Sequence, residues 1–183
     1  IVRVGSNTEK ENLFYCFITP DRQVKSTKRG AKDGDVETAA EQIARVGKNA
    51  KSRQDKAKER ALDIIDFRIQ KDNLAANNII LVEVYPEDNI QQELTGLIAM
   101  GIVSKYRKPC IIARRNEYNE LQGSLRSDNN FAGLPSFKQF LEQSGLVMYV
   151  AGHDAAAGVG VNVSNLDALL EYSNDQIGRA SCR

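Results

Sequence analysis

The chain has 183 residues, 42% of them hydrophobic, with 25 Lys and Arg against 24 Asp and Glu for a formal net charge of +1. That is enough apolar material for one domain, or one domain with an appendage, around a proper core. Near-neutral charge by itself argues neither for nor against nucleic acid; no apolar run approaches the roughly 18 residues of a spanning helix, and no secretory signal is visible. Cys16, Cys110 and Cys182 are widely separated and odd in number, without a C-x-x-C pair. That excludes a disulfide scaffold and a cysteine metal cage, and it fits a reducing cytoplasm. The first residue is Ile1 rather than Met, so the chain reads as a piece of something longer.

Thr8-Glu9-Lys10-Glu11 has the spacing of a capping box ahead of Leu13, Phe14, Phe17 and Ile18, which predicts a short helix stopped by Pro20. A basic loop, then Gly30 and Gly34, follow. Asp35 is placed to cap a long helix over 36–70 with a thin stripe of Val36, Ala40, Ile43, Ala50, Ala57, Ala61 and Ile65. At 1.5 Å per residue such a helix reaches about 50 Å. Residues 73–78 read as a linker, and the pattern then changes to strand-helix-strand. Ile79 to Val84 is a nearly continuous apolar run, as in a strand covered on both faces. Leu94, Leu97, Ile98, Gly101, Ile102 and Tyr106 form a helical stripe, and 109–113 is the next strand. Strands are expected over 121–127, 146–150 and 159–163, with a helix over 137–143 and a last helix over 166–172 capped by Asn165. The fold class is therefore α/β: a long N-terminal connecting helix, then a mixed β-sheet domain flanked by helices. The domains expected are 1–73, 74–174 and a disordered tail over 175–183.

Charge is uneven along the chain. Seven basic residues lie between Arg45 and Arg60 against Asp55 and Glu59, and Lys25, Lys28, Arg29 and Lys32 form a second cluster without an acid between Val24 and Lys32. Such clusters suit polyphosphate contact, although a solvated helix face explains each equally well. The only histidine, His153, stands in Ala151-Gly152-His153-Asp154-Ala155-Ala156-Ala157-Gly158, where small residues allow close backbone approach while one imidazole points at the visitor. Val159 to Val163 then alternates like a strand, placing the histidine at a strand entry. Two further motifs precede it: Gly96-Leu97-Ile98-Ala99, opening a helix, and Gly123-Ser124-Leu125-Arg126-Ser127.

In this order and spacing the three motifs resemble the DHH-associated domain of the RecJ-like single-stranded-DNA exonucleases, in the DHH phosphoesterase superfamily. The resemblance covers roughly residues 74 to 173, and residues 1–5 look like the end of that family's catalytic core. It implies that Ser124, Arg126, Ser127, Gly152 and His153 bind the nucleic-acid end, with Arg3 a phosphate contact from the core edge. Arg supplies a planar, permanently charged fork for phosphate oxygens, and Ser hydroxyls and a His add donors. A surface salt bridge for Arg126, and a strand-entry His with a satisfied backbone bond, are the plainer readings. Two departures stand out: Ala151 replaces the first Gly of a Gly-Gly-His triplet, and Gln91 stands where the family commonly has a His.

The superfamily hydrolyses phosphodiesters with two divalent metals, Mn or Mg, held by aspartates and a consecutive His pair. One histidine cannot supply that pair, and the only D-x-D, Asp33-Gly34-Asp35, lies in a polar loop; Asp33 is assigned no function. The expectation is a substrate-gripping piece with no metal, no catalytic residue and no activity of its own. Its partners are then single-stranded nucleic acid and an N-terminal catalytic core, in the setting of DNA repair and recombination, with no membrane. The alternatives are another DHH-type phosphoesterase, acting on oligoribonucleotides or cyclic dinucleotides, and a non-catalytic nucleic-acid-binding or protein-interaction module. Tyr118 and Phe131 are the candidate base-stacking aromatics.

Overall fold

The computed structural model describes residues 14, 16, 18–128, 134 and 136–180. These divide into two compact units, the first ending at Ala57 and the second beginning at Lys58. Arg3, Phe131 and the cap expected at Thr8 lie outside the described residues. Phe14, Cys16 and Ile18 are helical, and the helix is over by Thr19, just before Pro20.

In the first unit, β1 (Gln23–Lys25) pairs antiparallel with β2 (Val36–Thr38), and α1 (Ala39–Lys71) follows directly. Two expectations are corrected here. Residues 36–38 are strand rather than first helical turn, and Val36 is 60% exposed instead of lying on the buried stripe. Asp35 is not the cap. Its carboxylate accepts from the Lys32 N–H within the loop, while Thr38 Oγ1 accepts from the Glu41 N–H at 3.1 Å and Glu41 Oε2 from the Thr38 N–H at 3.2 Å. Thr38-Ala-Ala-Glu41 is thus a reciprocal capping box, which satisfies two donors left over at a helix start. Behind the hairpin, the Glu37 carboxylate accepts from Thr27 N–H, Gln42 Nε2 and Arg45 Nη2, the last at 2.7 Å. Burial alone would raise its pKa, but these hydrogen bonds and the Arg45 charge outweigh it and hold the group at about 2.

The second unit is a five-stranded mixed sheet. Its strands are β3 (Ile80–Val84), β4 (Cys110–Arg115), β5 (Glu120–Arg126), β6 (Tyr149–His153) and β7 (Ala156–Asn162), in the order β3-β4-β5-β7-β6. β3 and β4 are parallel, joined through α2 (Thr95–Tyr106), and every other pairing is antiparallel. A parallel pair needs a crossover, and α2 provides it. Side chains alternate across a strand, so each strand contributes to two faces. On one face Leu121, Leu125, Val159, Val161, Ile111 and Val150 pack with Phe140 and Leu141 of α3 (Phe137–Ser144) and with Leu169 and Ile177 of α4 (Leu166–Ala180). Each such fully buried aliphatic contributes about 1.5–3 kcal/mol.

The other face is covered unevenly. α2 lies over β4 and β5, and the C-terminal part of α1 packs against α2. A Cβ on Gly101 would come within 2.7 Å of Leu62 Cδ2, and the Asp66 carboxylate accepts from Lys105 Nζ and the Tyr106 hydroxyl. Arg68 joins the same end of α1 to the loop after β3, donating to Asp88 Oδ1 at 2.8 Å and to the Glu83 carbonyl. Leu97, expected on the α2 stripe, is 41% exposed; Thr95, Ile98, Ala99, Ile102 and Val103 form the buried face. Asn162, not Asn165, caps the short 3-10 turn that leads into α4, accepting from the Ser164 N–H. α4 also runs through residues 175–180 where a tail is expected, because Ile177 is buried in the core and Asn174 ties the helix to Asn77 and Asn78.

Candidate nucleic-acid interface

The three sequence motifs meet at one edge of the α2 side of the sheet, and they hold one another. Ser124 Oγ lies 2.8 Å from Thr95 Oγ1. Thr95 already donates its single hydroxyl proton to the Gln92 carbonyl, so Ser124 is the donor between the two. This bond fixes the first turn of α2 against β5. Gly96, the next residue, sits beneath the Arg126 side chain: a Cβ there would stand 2.5 Å from Arg126 Nη2 and 3.2 Å from its Cζ. Ser127 is buried, its hydroxyl donates to the Asp128 carbonyl, and its N–H donates to the Ala155 carbonyl at 3.0 Å. That last bond ties the end of β5 to the turn between β6 and β7. Asp154, in the same turn, accepts from Ser136 Oγ at 2.6 Å, while its carbonyl accepts from Lys138 N–H in α3.

Strand register then sets what shares a face. Arg126, Ala156 and His153 form one row across β5, β7 and β6; Ser124, Gly158 and Ala151 form the next; Gln122, Gly160 and Tyr149 form the third. Residues directly opposite in antiparallel strands point the same way. At about 4.8 Å per strand, Arg126 and His153 are about 10 Å apart at the backbone, with Ala156 between them. His153 is exposed and closes β6 just before the turn, rather than entering β7. Gly152 has φ +138°, and a Cβ there would lie 2.8 Å from the Ala156 carbonyl oxygen, so the step before His153 needs a glycine.

The electrostatics favour an anion. Arg126 is half-buried, and burial alone pushes its pKa below the ordinary arginine value. Its hydrogen bond runs from Nη1 to the Leu125 carbonyl, and among the described residues no carboxylate pairs with it. A partly desolvated cation without a counter-charge is costly, and a phosphate oxygen would offset that cost. The guanidinium also lies beside the N-terminus of α2, a twelve-residue helix with no side-chain cap, whose dipole adds positive potential at the same point.

Elsewhere the basic clusters are partly spent. Lys25 pairs with Asp33, Lys28 and Arg45 with Glu37, and Lys51 with Asp55. Lys48, Arg53, Lys56 and Arg60 of α1 are exposed and Lys58 is half-buried, and none has an ion pair among the described residues. Tyr118 is 73% exposed, in the turn between β4 and β5, away from the three rows. Gln91 is exposed ahead of the short 3-10 turn 92–94 that precedes α2. Sequence reading missed Thr95 and Tyr149. The alternation Tyr149, Ala151, His153 was the available signal for the second.

Among the described residues no three His, Cys, Asp or Glu side chains gather to hold a metal ion. No described helix is long and apolar enough to cross a membrane.

No protein-family model matches the chain. It is 31% identical over 179 residues to a Bacillus subtilis (strain 168) protein provisionally named SPbeta prophage-derived single-strand DNA-specific exonuclease YorK, and equally to the YorK protein of Bacillus phage SPbeta. The match takes in 96% of this chain but only 30% of the length of those relatives. Among solved structures, RecJ of Thermus thermophilus superposes with a TM-score of 0.51 in its Mg2+ complex and 0.53 in its Mn2+ complex. These matches cover 78% of this chain and 21% and 20% of RecJ, at 17% and 16% identity, and so speak to the fold. Motif order, sequence and fold agree: the chain is similar to one part of the YorK proteins and shares the fold of one part of RecJ.

Proposed function

We propose that this chain is the substrate-gripping part of a metal-dependent 5′-to-3′ single-stranded-DNA exonuclease, with residues 74–174 acting as the binding domain. The observation that carries this reading is Arg126: a half-buried guanidinium with no carboxylate partner among the described residues, set beside a helix N-terminus and in one row with the only histidine. In this reading Arg126 and His153 hold a phosphate of the strand, and Gly152 lets the imidazole approach. Ser124 and Ser127 keep β5, α2 and the His153 turn in register. The names of the relatives favour a single-stranded DNA substrate over an oligoribonucleotide or a cyclic dinucleotide. Divalent metal, which would supply the hydrolytic chemistry, is assigned to a catalytic core outside these residues.

The test is fluorescence anisotropy of a 5′-phosphorylated single strand with this chain at two salt concentrations, beside Arg126→Ala and His153→Ala. Salt-sensitive binding that Arg126→Ala weakens about tenfold or more, and His153→Ala by less, supports the reading. Binding indifferent to both changes removes it.

A further inference from the structure

The open half of the sheet carries one large side chain besides His153. Tyr149 begins β6 and shares a row with Gly160 and Gln122. Its ring lies over Gly160: a Cβ on that glycine would overlap ring atom Cε1 and stand 2.8 Å from Cδ1 and 2.9 Å from Cζ. One ring face thus rests on the sheet, in the space a side chain would otherwise fill. The residue is still 42% exposed, and among the described residues no ring stacks on it and its hydroxyl makes no hydrogen bond. Tyr149 is also on the same face as Arg126, and the floor between them is built from Ala156, Gly158 and Ala151, none of which rises to block a ligand.

We propose that Tyr149 is a stacking platform for a base of the single strand whose phosphate occupies the Arg126 and His153 row; the proposal rests on the phosphate reading above. Four residue steps along β6 separate His153 from Tyr149, about 13 Å at about 3.3 Å per step. That is too far for the base of the nucleotide held by Arg126, so the stacked base belongs to a following nucleotide. Every base has a π face, so such a platform is indifferent to sequence, as a general exonuclease requires. It is selective for single strands, because the bases of a duplex are already stacked on one another. The rival explanation is purely structural: an edge-strand aromatic ring covering a glycine of the neighbouring strand stabilises a sheet without any ligand.

The two are separated by comparing a labelled oligothymidylate with an abasic strand of the same length and phosphate count, bound to this chain. The wild type should prefer the base-bearing strand about tenfold, the order expected for one stacked base. Tyr149→Ala should abolish that preference, and Tyr149→Phe should keep it. Gly160→Ala should abolish it too, because its methyl pushes the ring off the sheet while Tyr149 itself is untouched. The chain contains no Trp, so Tyr149→Trp places a single indole at the site, and its fluorescence should be quenched by the base-bearing strand and not by the abasic one. If Tyr149→Ala fails to fold, Gly160→Ala and Tyr149→Trp decide. Should Tyr149→Ala and Gly160→Ala keep the wild-type preference, or the indole ignore the bases, while Arg126→Ala weakens both strands alike, stacking is overturned and the phosphate site stands. Should the wild type bind neither strand, or Arg126→Ala change nothing, the phosphate reading falls and the platform with it.

Discussion

Arg126 owes its position to a side chain that is absent. Only a glycine at 96 leaves room for the guanidinium against the first turn of α2. Gly96→Ala therefore separates two effects. A helical Gly→Ala change by itself favours the helix by about 0.5–1 kcal/mol, so the melting temperature should hold or rise. The new methyl meets only the end of a flexible arginine, which will move aside, so affinity for a single strand should fall about tenfold, as expected when a charge-assisted contact is misplaced. Thermal melting and anisotropy on the same sample check both; a fall in stability with unchanged affinity would sink the account. Arg126 and His153 stood out as candidates in sequence because their chemistry announces itself at a glycine-rich spacing. What Ser124 and Ser127 do was not legible, since residue type gives a hydroxyl but not what it faces: here the hydroxyls face Thr95 and the Asp128 carbonyl. Tyr149 was overlooked because its meaning depends on Gly160, eleven positions later and on a neighbouring strand.

At the scale of elements, the hairpin ahead of α1 was unreadable for a simple reason: two strands of three residues are too short to show an alternation. The capping box at Thr38 and Glu41 was present in the sequence, but Asp35, three residues earlier, offered a competing cap. Glu37, which lies between them beside Val36, is the centre of the hairpin's polar network. Its carboxyl is held at about 2 against an ordinary 4.5. A group whose pKa is lower folded than unfolded stabilises the fold fully above the unfolded value, and that contribution drains away as pH falls through the folded one. The first unit should therefore lose stability progressively between about pH 4.5 and pH 2. Glu37→Gln should be less stable than wild type at pH 7 and should show a flatter dependence across that window. Urea titrations at pH 7 and pH 3, followed by circular dichroism, measure it, and parallel losses in the two proteins would show that another group controls the transition.

At the scale of the whole molecule, the mixed sheet, its helices and the long basic helix are legible in sequence, because β3 and β4 each open on an apolar run and a 33-residue helix leaves a long pattern. Which half of the sheet stays bare is a matter of tertiary coverage, and no local pattern reports it. α2 covers β4 and β5, and the rows on β6 and β7 are left with alanines, glycines, His153 and Tyr149. On the proposed reading a strand bound there would meet two kinds of contact, and salt tells them apart. Each phosphate neutralised on a single strand contributes about 0.7 to the slope of log affinity against log salt, whereas stacking contributes nothing to it. Lys58 and Arg60 lack ion-pair partners among the described residues, so if they hold phosphates, the double variant Lys58→Gln with Arg60→Gln should lower the slope by about 1.4. Tyr149→Ala should shift the line downward without tilting it. A slope unchanged in the double variant would make the basic stretch of α1 a solvated face and confine phosphate recognition to the Arg126 row.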